Sequence, residues 1–166
     1  MDAYQAIITK RDTRQYLPDP VATEVLERVL RAGRMAGSAK NAQVTRIVVV
    51  TDPDKRVELA ACGDFTAWIH TAPVLLVLVA PVEGGRLFDL GRMAQNLMVA
   101  AHATGLATCP VTFHHQDRVR PALGLPEDLE GPMAITLGHP GPLDANRPRA
   151  ARLPLADLVH HERWRG

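Results

Sequence analysis

The chain has 166 residues, of which 46% are hydrophobic and 22% charged. That is the composition of a folded domain with a sizeable core, and it excludes a disordered chain. With 19 basic against 18 acidic residues the net charge is +1, so no global cationic excess directs the protein to nucleic acid or an anionic membrane. The longest apolar run, Thr71 to Val82, is too short to cross a bilayer. The opening Met1-Asp-Ala-Tyr-Gln5 lacks the basic-then-apolar pattern of a signal peptide. Cys62 and Cys109 are the only cysteines. Two are too few for a disulfide framework and read as free thiols, so the expected location is the cytoplasm.

The pattern predicts one domain over residues 1–166. Asp2 to Thr9 has the apolar spacing of a short amphipathic helix, followed by the charged run Lys10 to Arg14 and a break at Leu17-Pro-Asp-Pro20. Val21 to Ala36 reads as a helix with Val25, Leu26, Val29, Leu30 and Gly33 on one face. Gly37 to Gln43 is a loop or helix start. Arg46 to Val50 is a strand ending in the turn Thr51-Asp-Pro-Asp54, and Lys55 to Cys62 a short helix. Ala72 to Ala80 is a continuous Val/Leu run, as in a central strand buried on both faces. Leu87 to Thr104 is the longest helix, with Gly105 as its C-cap. Its stretch Leu90 to Ala101 carries more apolar surface than one thin sheet is expected to cover, which argues for a symmetric dimer. Ala107 to Thr112 is a short strand, Gln116 to Leu123 a helix, Gly124-Leu-Pro126 a turn and Pro132 to Leu137 a strand. The proline-rich stretch to Pro148 is irregular, and Pro154 to His161 is a short helix or extended tail. The sum is an α/β sandwich, a small sheet covered by helices.

Ready-made catalytic motifs are absent. There is no GxSxG, HExxH, Walker or CxxC pattern, and no GxGxxG for a Rossmann nucleotide site. His114-His115 and His160-His161 are adjacent pairs whose side chains diverge, so each is a poor chelate, and no metal site is expected. Three polar clusters remain: Lys10-Arg-Asp-Thr-Arg14, Ser38-Ala-Lys-Asn-Ala-Gln43, and Arg147-Pro-Arg149 with Arg152. Arginines hold phosphate well, and amides read a flat polar ring edge. Each cluster alone reads equally as a solvated face with a helix cap.

Taken together and in order, these segments resemble the FMN-dependent nitroreductase superfamily. Ile7-Ile-Thr-Lys-Arg-Asp-Thr-Arg-Gln-Tyr16 is similar to its opening Arg-Arg-Ser-x-Arg-x-Phe. Ala36-Gly-Ser-Ala-Lys-Asn-Ala-Gln43 resembles Ala-Pro-Ser-x-x-Asn-x-Gln-Pro-Trp. Asp89-Leu-Gly-Arg-Met-Ala-Gln-Asn-Leu97 through Gly105-Leu106 is similar to D-x-G-x-A-x-Q-N-L…G-L. Ile135 to Pro140 resembles I-x-x-G-x-P, and Arg152-Leu-Pro-Leu155 the closing R-x-P-L. The resemblance implies an α+β fold with a small, mostly antiparallel sheet, in an intertwined homodimer with flavin at the subunit interface. The departures are Asp12 for the usual serine, Gly37 for proline, and Val44-Thr45 for Pro-Trp. Asp12 is then expected to fix Arg14 or Arg11. The chain also lacks the excursion that lengthens many members and covers the flavin.

By this resemblance the cofactor is FMN, and NADH or NADPH is the electron donor. Flavin carries the redox chemistry, and the protein orients it and sets its electrostatics. Two-electron reduction leaves negative charge at N1 and O2 of the ring, so a cation there favours the reduced form. Arg14 is the implied catalytic cation. Lys10 and Arg152 would neutralise phosphate with Arg11 and Arg149 nearby, and Asp12 lies in the same motif. Ser38, Asn41 and Gln43 would contact the ribityl chain or ring edge. Cys109-Pro110-Val111-Thr112 would lie along the ring with a backbone N–H near N5, Cys109 being a packing residue. The main reading is an FMN-dependent NAD(P)H oxidoreductase acting on a nitroaromatic, quinone or similar flat electrophile. The alternatives are another flavin enzyme of this fold (flavin-fragmenting, dehalogenating or dehydrogenating) and a degenerate flavin-binding or flavin-free module.

Overall fold

The structure is a computed structural model that describes residues 1–84, 87–142 and 151–164. The strands are β1 (Arg46–Val50), β2 (Val74–Pro81), β3 (Ala107–Thr112) and β4 (Leu129–Gly138). They form one antiparallel sheet in the order β1-β2-β4-β3. The helices are α1 (Ala3–Thr9), α2 (Thr23–Arg34), α3 (Pro53–Ala60), α4 (Leu87–Ala103), α5 (Gln116–Leu123) and the single turn α6 (Leu155–Leu158). The α+β reading of the sequence holds in this architecture.

The all-apolar run in β2 is explained by its place. Its side chains alternate between two cores, as the strand period requires. Leu75, Val77 and Val79 join a cluster with Leu59 of α3, Val119 of α5 and Phe113. Val74, Leu76, Leu78 and Ala80 join a second cluster with Val29 of α2 and Leu90, Ala94 and Leu97 of α4. Helices therefore cover both faces of the sheet. Local signals set their ends. The Asp2 carboxylate accepts from Gln5 N at 2.8 Å and starts α1. Asp52 does the same for Lys55 N at 2.9 Å, with Pro53 at the first turn of α3. Gly124, at φ 63°, closes α5 in the left-handed conformation.

Two expectations need correction. β4 begins at Leu129 and runs through Pro132, whereas the proline suggested a later start. Leu78 pairs with Met133 and Ala80 with Glu130, so Gly131 and Pro132 both lie opposite Val79. This bulge accommodates a residue with no N–H to donate. The apolar surface of α4 is also not in surplus. Leu90, Ala94, Leu97, Met98 and Ala101 are all buried within the single chain, because α2 lies directly on α4. A Cβ at Gly33 would sit 2.5 Å from Leu97 Cδ2, so glycine sets that close approach. The uncovered apolar side chains lie elsewhere: Tyr4 and Ile7 on α1, Phe88 at the start of α4, and Leu155, Leu158 and Trp164 in the C-terminal tail. No helix among the described residues is long and apolar enough to cross a membrane.

The helix contact at Gly33 is testable against Gly91, where an added Cβ meets nothing within 4 Å. Gly33→Ala is expected to lower stability by about 1–2 kcal/mol through overpacking. Gly91→Ala is expected to raise it by about 0.5–1 kcal/mol through helix propensity. Urea unfolding of the two variants measures both, with opposite signs.

Candidate functional site

The chain leaves α1 at Lys10 and runs extended beside β3. Asp12 bridges to Thr108, and Thr13 N donates to Thr108 O at 2.9 Å. Tyr16 ties this line to Thr136 of β4, its hydroxyl 2.5 Å from Thr136 Oγ1. The Tyr16 hydroxyl donates to Thr13 O at 2.5 Å. The Thr136 hydroxyl accepts from Cys109 N at 3.1 Å and donates to Cys109 O at 3.0 Å. In extended chain the side chains alternate, so residues 10, 12 and 14 share one side. Lys10 Nζ pairs with Asp12 and lies 3.3 Å from Met98 Sδ, its side chain only 11% exposed. Asp12 thus binds Lys10, not Arg14 or Arg11 as expected. Arg11 falls on the other side of the chain and is exposed.

Arg14 reaches across the end of β3. Its guanidinium carbon lies 5.4 Å from the centre of the Trp68 ring, and its charge acts on the Cys109 thiol. Burial pushes the Cys109 thiol up from its ordinary pKa, and the Arg14 contact opposes this less strongly. Cys109 is therefore a packed, protonated residue, with no activating base. In the following segment Val111 points into the core, Pro110 is half-buried and Thr112 is exposed.

The second group is a separate structure. Lys40, Asn41 and Gln43 all have positive φ, at 54°, 53° and 49°, a region that non-glycine residues adopt rarely. The Ser38 hydroxyl accepts from Gln43 N at 2.9 Å, Arg46 Nη1 donates to Gln43 O at 2.5 Å, and Ala39 N donates to the buried Asp89 carboxylate at 3.3 Å. A cleft of about 170 Å³ opens here between Ser38, Gln43, Arg34, Arg46 and Asp89. A Cβ at Gly37 would lie 2.6 Å from Arg92 Nη2, the far end of an exposed side chain that can swing aside.

The two groups do not meet in one chain. The Ser38 loop touches α4 at Asp89, whereas Lys10 touches it at Met98. Nine helical residues separate these points, roughly 13 Å along the axis. The loop feeds β1 and the cation segment lies on β3, the two opposite edges of the sheet. Arg152 is exposed and has no hydrogen bond or ion pair among the described residues. Arg149 lies outside the described residues.

Residues that the sequence reading did not select stand beside Arg14. Gly63 to Trp68 forms a loop against the end of β3, where a Cβ at Gly63 would meet Thr112 O at 2.9 Å. Asp64 in this loop takes His115 Nε2 at 2.9 Å and lies 3.7 Å from His114 Nδ1, and Phe65 packs edge-on to His114. Among the described residues no three His, Cys, Asp or Glu side chains are grouped to hold a metal ion.

An antiparallel sheet sandwiched by helices, with a cation segment beside an edge strand, defines the class of protein. The chain belongs to the nitroreductase family, whose profile matches residues 7–62 and 65–139. Among known proteins it is 30% identical to an "NADH dehydrogenase" of Thermus thermophilus, over 96% of this chain and 95% of that one. It is 29% identical to an "NADPH-flavin oxidoreductase" of Vibrio harveyi, over 96% and 73%. Nitroreductase A of Vibrio parahaemolyticus superposes with a TM-score of 0.87 at 29% identity, covering all of this chain and 78% of that one. The Thermus alignment runs over 198 positions, more than this chain has, so that relative carries segments without a counterpart here.

Burial also raises the Cys62 thiol, with Glu58 adding to the shift. Both folded thiols therefore titrate above their unfolded values. Each contributes stability that is present below the unfolded pKa of about 8.5 and lost as pH climbs toward the folded one. Two outcomes are expected: native protein at pH 8 reacts slowly with a disulfide reagent and takes up two equivalents promptly in denaturant, and unfolding free energy declines above about pH 8.5.

Proposed function

We propose that this chain, as a single domain over residues 1–166, is an FMN-dependent NAD(P)H oxidoreductase whose flavin site is completed by a second copy of the chain. The observation that carries the reading is the pair of half-sites on opposite edges of one sheet. Lys10, Arg11 and Arg14 supply cations beside β3. Ser38, Asn41 and Gln43 supply a hydroxyl and two amides beside β1. The cation segment lacks the Ser38 hydroxyl and the Asn41 and Gln43 amides, and the Ser38 loop, whose neighbouring Arg46 is bonded to Gln43 O, lacks the Lys10–Arg14 cations. A twofold-related partner brings the second half of one protomer to the first half of the other. The exposed apolar side chains of α1 and the tail supply surface for that association.

The donor set fits FMN. A carboxylate repels phosphate, but the charge of Asp12 is balanced by Lys10. Arg11 and Arg152 are exposed cations that suit the phosphate, with Arg149 added by resemblance. The segment Cys109 to Thr112 lies in an edge strand whose Val111 fills the core, so a flat ring could rest against it without disturbing the packing. Bound FMN supplies hydride acceptance and donation at ring N5.

What the chain adds is charge placed in advance. Arg14 is held over Trp68, so its guanidinium would not have to be ordered as negative charge developed on a bound ring. The interaction is stronger with the reduced ring than with the oxidised one, which makes it differential and not uniform binding. The proposed donor is NADH or NADPH, and the proposed acceptors are nitroaromatics, quinones or similar flat electrophiles. An open site of this kind suits them, because the chain is shorter than the Thermus relative's alignment.

Arg14→Gln is expected to keep FMN bound while lowering its midpoint potential and slowing reduction by NAD(P)H. A loss of about 1.4 kcal/mol at the reduced ring corresponds to roughly 30 mV for a two-electron couple. Spectroelectrochemistry of the flavin-loaded protein measures it, and an unchanged midpoint with FMN retained refutes the role.

A further inference from the structure

An arginine has several side-chain torsions to fix before its charge acts at one place. Arg14 extends from a strand-like segment that leaves it exposed, so something must hold it. Trp68 lies beneath it, with the guanidinium carbon 5.4 Å from the ring centre, within cation–π range.

The indole is itself fixed from several sides. Its Nε1–H donates to Phe65 O at 3.0 Å. Its body packs on the core cluster that contains Leu75, Val77 and Phe113. The preceding loop is pinned by the buried Thr66, whose hydroxyl lies 2.9 Å from Ala60 O and 2.8 Å from Gly63 O. Ile69 N donates back to Thr66 O at 2.9 Å, and His115 N donates to Cys62 O at 3.0 Å. One end of this loop is thus tied to the end of β3, and the other carries Trp68 under Arg14. The ring face attracts the guanidinium through its charge. Trp68 therefore steadies the cation without supplying a hydrogen-bond acceptor of its own.

We propose that Trp68 is the positioning residue that holds Arg14 at the N1–O2 edge of the flavin; this rests on the reading of Arg14 given above. Trp68 acts through Arg14 and sets the flavin potential without touching a substrate.

The test is the midpoint potential of FMN-loaded protein in five forms: wild type, Trp68→Leu, Trp68→Phe, Arg14→Gln and the Trp68→Leu/Arg14→Gln double variant. Leucine keeps apolar packing but removes the π face, and phenylalanine restores the face. Trp68→Leu is expected to reduce the preference for the reduced flavin three- to five-fold, about 14–21 mV. Trp68→Phe should recover most of this, and Trp68→Leu should add nothing in the Arg14→Gln background. If Arg14→Gln shifts the potential while Trp68→Leu does not, Trp68 has no positioning role and the reading of Arg14 survives. An equal Trp68→Leu shift in both backgrounds also overturns the proposal, since Trp68 would then act without Arg14. No shift from Arg14→Gln overturns the reading of Arg14 and the proposal with it. Should Trp68→Leu fail to fold, Trp68→Met takes its place against Trp68→Phe, with the same outcomes.

Discussion

The burial of β2 on both faces is the constraint on which the rest of the structure depends. An apolar strand without a polar face has to be covered twice. Its alternate residues therefore build two cores, one under α2 and α4 and one under α3 and α5. With β2 and β4 inside, β1 and β3 become the edges of the sheet. Both candidate segments then lie at edges, the Ser38 loop entering β1 and the Lys10–Arg14 segment running beside β3. Their separation follows from the same arithmetic that stabilises the core.

Much of this was legible in the residues. The bounds of β1 and β3 and of α5 match the sequence reading, because glycine, proline and period-2 or period-3.6 patterns act over a few positions. The features that escaped are contacts between distant parts of the chain. Nothing local tells that Gly33 exists for the buried Leu97. The dimer argument from α4 failed for this reason, since α2 covers the surface that α4 seemed to leave over. Asp12 was legible as a departure, but its partner depended on which side of an extended chain each residue takes. Trp68 carried no signal of its own. It is an aromatic before a buried strand, and only the fold brings it under a cation 54 positions earlier.

The candidate residues follow the same division. Those in the Lys10–Arg14 segment and along β3 come together, because an extended chain and an edge strand pair naturally. Ser38, Asn41 and Gln43 lie in a loop where Lys40, Asn41 and Gln43 are left-handed, a conformation that costs energy where no glycine relieves it. Hydrogen bonds to the Ser38 hydroxyl, Gln43 O and the Asp89 carboxylate hold that loop. The backbone of that half is thus fixed by contacts within the chain, as preorganised sites require. What one chain does not supply is their meeting, and the apolar side chains of α1 and the tail are left exposed on the surface.

The claim that each flavin site draws on two protomers is tested most directly with mixed dimers. One subunit carries Arg14→Gln with Arg11→Gln, and the other carries Ser38→Ala with Asn41→Ala and Gln43→Ala. Each altered homodimer has a lesion in every site. If the site is shared, subunit exchange leaves one site intact and gathers all the lesions in the other. The account predicts that the mixed dimer recovers tight FMN binding at half the sites. If both halves came from the same protomer, every site in the mixed dimer would still be damaged, and FMN titration showing no recovery would contradict the account.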